Sequence, residues 1–224
     1  LARTLINLST VQLNTDMFDV AKMNLLRVLA LSKKFREDNS VSLSVMHNLA
    51  VLYTQQGNFL EAEDLYINLI RIRRKVGDSK SIDFARILNN LSVLYKKNCQ
   101  YDLALPYISE ALTIWENIKS MDYLNYAKAY HNQGELYKAQ GKYDLAIESF
   151  KNGINIISNY SDIFYEQYME QSYALINLYL KSGKLNEATE LLKNINLQKM
   201  KKGKTLLTIE NLPEEVYENC SSSN

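Results

Sequence analysis

The chain has 224 residues, 46% hydrophobic and 23% charged, with a formal net charge of +1 and a sequence pI near 7.8. No apolar run approaches about 18 residues, which excludes a membrane-spanning helix. The balanced charge lacks the strongly basic footprint of a phosphate-tracking domain, so nucleic acid is not an expected partner. Only two prolines and seven glycines interrupt it, no strand-like alternation of any length occurs, and helix is expected throughout.

From the N-terminus, a run from Asn7 through Phe18 to Ala21 opens a pattern that then recurs. Tyr53, Tyr95, Tyr137 and Tyr179 mark later copies at intervals of about 42 residues. The windows Asn48 to Gly57, Asn90 to Cys99, Asn132 to Gly141 and Ala174 to Gly183 share one skeleton, and the first copy is offset from it by one residue. Five copies are predicted, at about 3–38, 42–77, 84–119, 126–160 and 168–195. A period of this length means stacked supersecondary units in place of one globular core.

Within a copy the apolar positions fall at helical steps, as in Leu88, Leu91, Ser92 and Tyr95, then Leu105, Ile108, Ala111 and Leu112. Two helices per copy follow. The break between them has the form Gln56-Gly57-Asn58, Gln140-Gly141-Lys142 or Ser182-Gly183-Lys184, and glycine there supplies the left-handed residue that closes a helix. Cys99 occupies that place in copy three, so it either takes the strained conformation or changes the turn. Beyond the break come an aromatic or leucine (Phe59, Tyr101, Tyr143, Leu185) and an alanine (Ala62, Ala104, Ala146, Ala188). The alanines are small enough to let the paired helices approach closely.

Beyond Ile195 the periodicity stops. The segment 196–224 carries Lys199, Lys201, Lys202 and Lys204, an apolar Leu206-Leu207-Thr208-Ile209, and an acidic stretch to Glu218. It reads as a cap over the last helix pair, which every solenoid must protect. The alternative is that Leu212 to Glu218 mimics a ligand and occupies a groove in its own or a neighbouring molecule. Cys99 and Cys220 suggest no disulfide framework, which makes a cytoplasmic setting the default. No metal or cofactor is expected, because His47 and His131 lie two copies apart without companion ligands. No phosphate loop, nucleophile motif or oriented carboxylate pair appears, so the segment is not expected to be an enzyme. The chain begins with Leu1 and shows no secretory leader, and a piece of a longer protein is expected.

The spacing and identities resemble the tetratricopeptide repeats. Copy four carries Tyr130, Gly134, Tyr137, Gly141, Tyr143, Ala146, Phe150 and Gly153 at family positions, with Gln133 in place of the usual leucine. The usual repeat is about 34 residues long and ends in proline. Here the period is longer and the proline is missing, so longer helices are implied. That variant resembles kinesin light chain repeats, notably in Asn48 to Tyr53, Gln56 to Phe59, Glu61 to Glu63, Arg71 to Arg73 and Leu88 to Leu91. The resemblance spans about residues 3 to 195 and implies an all-α fold, a right-handed α-solenoid of about five helix pairs with a C-terminal tail.

In proteins it resembles, the first helix of each copy lines a concave groove, and an asparagine before the leucine clamps the backbone of an extended peptide. The corresponding residues are Asn7, Asn48, Asn90 and Asn132, while Ala174 ends the ladder in copy five. A carboxamide both donates and accepts, so it can pair with a peptide unit whatever side chain the peptide carries. Nearby on the first helices lie Arg3, Arg86, Lys96, Lys97, Lys128, Lys138 and Lys181, opposed by Glu135 and Glu170. Carboxylates such as Glu61, Glu63, Asp64, Asp102, Asp144, Glu148, Glu187 and Glu190 fall on second helices. An acidic peptide or protein partner is therefore expected. His47, Asn89 and His131 add polar contacts, and Val51 and Val93 an apolar floor. The tyrosine stripes and Trp115 read as packing between helices. The expected function is a scaffold or adaptor. A kinesin-light-chain-like cargo adaptor and the regulatory arm of a larger enzyme are the alternatives.

Overall fold

The structure is a computed structural model, and it describes residues 2–13, 15, 17–32, 40–118 and 122–212, without the side chains of 2–3 and 31–32. Among the described residues there are ten α-helices and no strand: α1 Ala2–Leu13, α2 Phe18–Ser32, α3 Ser40–Gln55, α4 Phe59–Lys75, α5 Ile82–Lys97, α6 Tyr101–Asn117, α7 Tyr123–Ala139, α8 Tyr143–Ser158, α9 Tyr165–Lys181 and α10 Leu185–Lys201. A short 3-10 turn, Ile209–Asn211, follows. Helices α3, α5, α7 and α9 begin ahead of the copy starts expected at 42, 84, 126 and 168, and α10 runs on past Ile195. The helices group into two compact units, Leu1–Asn98 and Cys99–Asn224.

The helix ends follow from the glycines. Gly57, Gly141 and Gly183 have φ of 76°, 73° and 71°. In each case the next N–H reaches back to the marker tyrosine: Asn58 to Tyr53 O at 2.9 Å, Lys142 to Tyr137 O at 2.9 Å and Lys184 to Tyr179 O at 2.8 Å. This is the Schellman arrangement, which satisfies carbonyls the helix leaves over. Cys99 takes the same left-handed conformation with φ 59°, so of the two alternatives it accepts the strain. Cys99 is also disulfide-bonded, which departs from the expectation that the cysteines form no framework. Helix α5 opens with a side-chain cap, the Ser81 hydroxyl accepting from Phe84 N at 3.1 Å.

Ala62, Ala104, Ala146 and Ala188 are all fully buried, as is Ala21 in copy one. Any larger side chain there would push its helix off its neighbours. In the first unit Leu25 and Val28 of α2 pack on Val45 and Leu49 of α3, with Leu5 and Ile6 of α1 at the fringe. In the second unit Phe150 and Ile157 of α8 join Met169, Leu175 and Leu178 of α9 and Leu192 and Ile195 of α10 in one cluster. Each fully buried side chain of this kind contributes roughly 1.5–3 kcal/mol. Trp115 of α6 is fully buried and stacks on Tyr126 of α7 at 6.2 Å, the packing between copies that its position suggested.

Beyond α10 the chain turns at Gly203, φ 63°, and comes back as an extended segment. The side chains of Leu207 and Leu212 pack against the α8–α10 cluster. The rest of the acidic stretch read as a ligand mimic, 213–218, lies outside the described residues.

Candidate peptide-binding site

In the first unit the first helices of successive copies, α1, α3 and α5, touch one another, and the asparagines stand on them. Asn7 is exposed on α1, while Asn48 on α3 and Asn90 on α5 are half-buried. Asn48 Nδ2 donates to Thr10 Oγ1 at 3.0 Å. Asn90 Nδ2 lies 2.9 Å from His47 Nε2, and Asn90 Oδ1 accepts from Asn89 Nδ2 at 3.2 Å. Each of the two asparagines thus ties its own helix to the first helix of the preceding copy. Counting donors and lone pairs, both carboxamides keep at least one N–H and one acceptor position beyond these bonds.

His47 packs edge-on to Tyr66 at 6.3 Å between ring centroids. Burial pushes its pKa down from 6.5 to about 4; Asp83 pulls it up, and Arg73 and Arg86 push it down. The ring is therefore neutral near pH 7, with Nε2 unprotonated to accept from Asn90. Arg86 pairs with Asp83 one turn away at 3.4 Å, and Arg73 pairs with Asp78 and reaches Asp83 at 3.8 Å. Lys96 is half-buried, Lys97 is exposed, and Val51 and Val93 are half-buried.

In the second unit α7 carries an exposed Lys128 and half-buried His131, Asn132 and Lys138. The His131 ring lies 5.3 Å from Phe150. Lys138 Nζ pairs with Glu135 at 2.9 Å. On α9, Ala174 is buried and Lys181 Nζ sits 5.2 Å from the Tyr143 ring centroid. Several of the predicted cations are thus matched locally, Arg86 by an aspartate that sequence reading did not set against it. The side chain of Arg3 lies outside the described set.

Three of the second-helix carboxylates bind neighbouring copies. Tyr95 OH donates to Glu63 at 2.7 Å, Gln140 Nε2 to Asp102 at 2.7 Å and Lys184 Nζ to Asp144 at 2.9 Å. The tyrosine stripes close on themselves, with Tyr126 and Tyr130 rings 5.3 Å apart and Tyr123 and Tyr160 stacked at 4.7 Å.

A model of the tetratricopeptide repeat matches the chain three times, over residues 1–75, 41–96 and 83–158. The chain belongs to the tetratricopeptide repeat family. Tetratricopeptide repeats form protein–protein interaction scaffolds and are typically non-catalytic. Among the described residues no helix is long and apolar enough to cross a membrane. No curated protein matches the sequence. Among solved structures, a kinesin light chain candidate from Podosopora anserina with nearly identical TPR-like repeats superposes with TM-score 0.74 at 20% identity, covering 91% of this chain and 96% of that one. BtubC (BKLC) from P. vanneervenii gives TM-score 0.76 at 18% identity over 97% and 87% of the two chains. A Rap protein complexed with Competence and Sporulation Factor gives 0.70 at 16% over 86% and 52%. At these identities the likeness concerns the fold.

Two features of this tetratricopeptide repeat chain escaped the sequence reading. A furrow of about 570 Å³ runs between α8, α9 and α10, lined by Ile154, Leu175, Leu191, Asn155, Asn194 and Glu190 among others. At the end of α10, Asn196 Nδ2 donates to Leu207 O at 2.8 Å and Asn196 Oδ1 accepts from Leu207 N at 2.9 Å. The peptide clamp expected on the first helices is thus drawn, atom for atom, on a second helix against the chain's own tail. Asparagine is frequent in this sequence, and only the return path of the tail distinguishes this one.

Proposed function

We propose that the chain is a non-catalytic scaffold or adaptor whose first helices hold an extended, acidic segment of another protein. The reading rests on one observation above the others: Asn48 and Asn90, each on the first helix of its copy, keep unused donor and acceptor capacity after tying neighbouring copies together. Asn132 is assigned the same role in the second unit, with Asn7 an outer member. One carboxamide bond is worth about 0.5–1.5 kcal/mol net, so several must act together. Lys96 and Lys128 favour a partner with carboxylates, and Arg86, Lys97 and Lys138 contribute after exchanging their present partners for the ligand's.

Affinity capture on the full chain beside an Asn48→Ala, Asn90→Ala, Asn132→Ala variant tests this. Partners lost from the variant support the reading; the same partners held at equal strength would remove it. A kinesin-light-chain-like cargo adaptor is the more specific version, favoured by the run Asn48 to Tyr53 and by the fold likeness. Its test is direct binding to a kinesin heavy chain in a purified mixture. A cytoplasmic location belongs to the same reading, and recovery of the protein from an oxidising compartment and not from the cytosol would contradict it.

A further inference from the structure

The segment Lys204–Leu212 is bound to the last helix pair in the way a separate peptide would be. Its backbone at 204–208 has no helix or strand of its own. Both polar groups of Leu207 are met by one side chain, Asn196. The side chains of Leu207 and Leu212 pack on the apolar cluster, whereas Leu206 and Ile209 are 46% and 37% exposed. Upstream, Lys204 Nζ lies 4.6 Å from the Tyr165 ring centroid and 3.4 Å from Glu166, and Lys202 pairs with Asp162 at 3.6 Å. Those ion pairs are solvent-exposed and therefore individually weak.

We infer that the end of α10, with Tyr165 and Glu166 of α9, is a second peptide-binding site, and that residues 204–212 are its exchangeable occupant in cis. The ligand class follows from the contacts: an extended segment with a lysine or arginine, an apolar residue three positions on whose backbone meets Asn196, and a second apolar residue five further. The Asn196 carboxamide reads only backbone, so it does not distinguish the chain's own tail from a segment of another protein. Selectivity comes from the two apolar side chains and the cation over Tyr165. This site takes a basic and apolar ligand, the opposite of the acidic one proposed for the first helices, so the two readings stand or fall separately.

The probe is a fluorescent peptide with the sequence of Lys204–Leu212. The acceptor is the full chain carrying Leu207→Asp and Leu212→Asp, which frees the site and leaves Asn196, Tyr165 and Glu166 in place. The peptide is expected to bind this variant at least tenfold more tightly than the unaltered chain, where the tethered tail competes at high effective concentration. Adding Asn196→Ala should remove the gain. Failure of the peptide to bind the opened variant, or binding untouched by Asn196→Ala, overturns the inference. Should the double variant not fold, hydrogen exchange on the unaltered chain decides. Amides of 205–212 exchanging well before those of α10 support an exchangeable tail, and a single shared rate shows it to be a fixed part of the domain.

Discussion

The Phe150 ring lies where Gly134 would carry a side chain: a Cβ built on Gly134 would stand 2.6 Å, 2.7 Å and 2.9 Å from three ring atoms. Gly134 is in the interior of α7, where exchange for alanine ordinarily stabilises by about 1 kcal/mol. Phe150 is fully buried and has nowhere to retreat. Gly134→Ala is therefore expected to destabilise by about 1–3 kcal/mol in denaturant unfolding, and Phe150→Leu in the same chain should recover part of the loss. A more stable Gly134→Ala protein would show that α7 and α8 do not meet this closely.

The glycines at the helix breaks behave differently. A Cβ on Gly141 or Gly183 meets nothing within 4 Å, yet both sit at positive φ, 73° and 71°. Alanine there is expected to cost about 1 kcal/mol each through the backbone alone, roughly additively because the two turns belong to different copies. Denaturant midpoints of the single and double variants check this, and a neutral substitution would contradict the left-handed assignment.

His47 gives the chain a pH dependence with a definite sign. Its folded pKa of about 4 lies below the ordinary histidine value of 6.5, so between those values the unfolded chain binds the proton and the folded chain does not. Stability from this group is full above pH 6.5, falls as pH drops toward 4, and levels off below that. At about 1.36 kcal/mol per pKa unit the loss is on the order of 3 kcal/mol. His47→Gln keeps an acceptor for Asn90 and does not titrate. The difference in unfolding free energy between the two proteins should therefore change across pH 6.5 to 4, and a constant difference would contradict the buried neutral ring.

How much of this could be read from residues alone divides along a physical line. Features set by neighbours in sequence were legible: the helix pairs, the left-handed turns at Gly57, Gly141 and Gly183, and the buried alanines at 62, 104, 146 and 188, because each repeats with the same local pattern. Features set by the packing of one copy on the next were not. The bonds Asn48 to Thr10 and Asn90 to His47 join residues a full copy apart, and their pairing depends on the register between helices, which periodicity leaves open. The pairing of Arg86 with Asp83 reduces a positive charge that counting lysines and arginines had left whole. Asn196 and Leu207 meet only because the tail folds back, and nothing in either local sequence marks them.

In the proposed function, carboxamides on the first helices receive a peptide. The measurement closest to it is a titration of the full chain, labelled at asparagine side-chain amides, with a pool of extended acidic peptides followed by NMR. The Nδ2 signals of Asn48 and Asn90 are expected to move together and saturate, and that of Asn132 to move in its own unit, with an affinity that weakens as salt is raised. If those three signals stay fixed while peptide binds elsewhere on the chain, or if no peptide in the pool binds, the proposed function is contradicted.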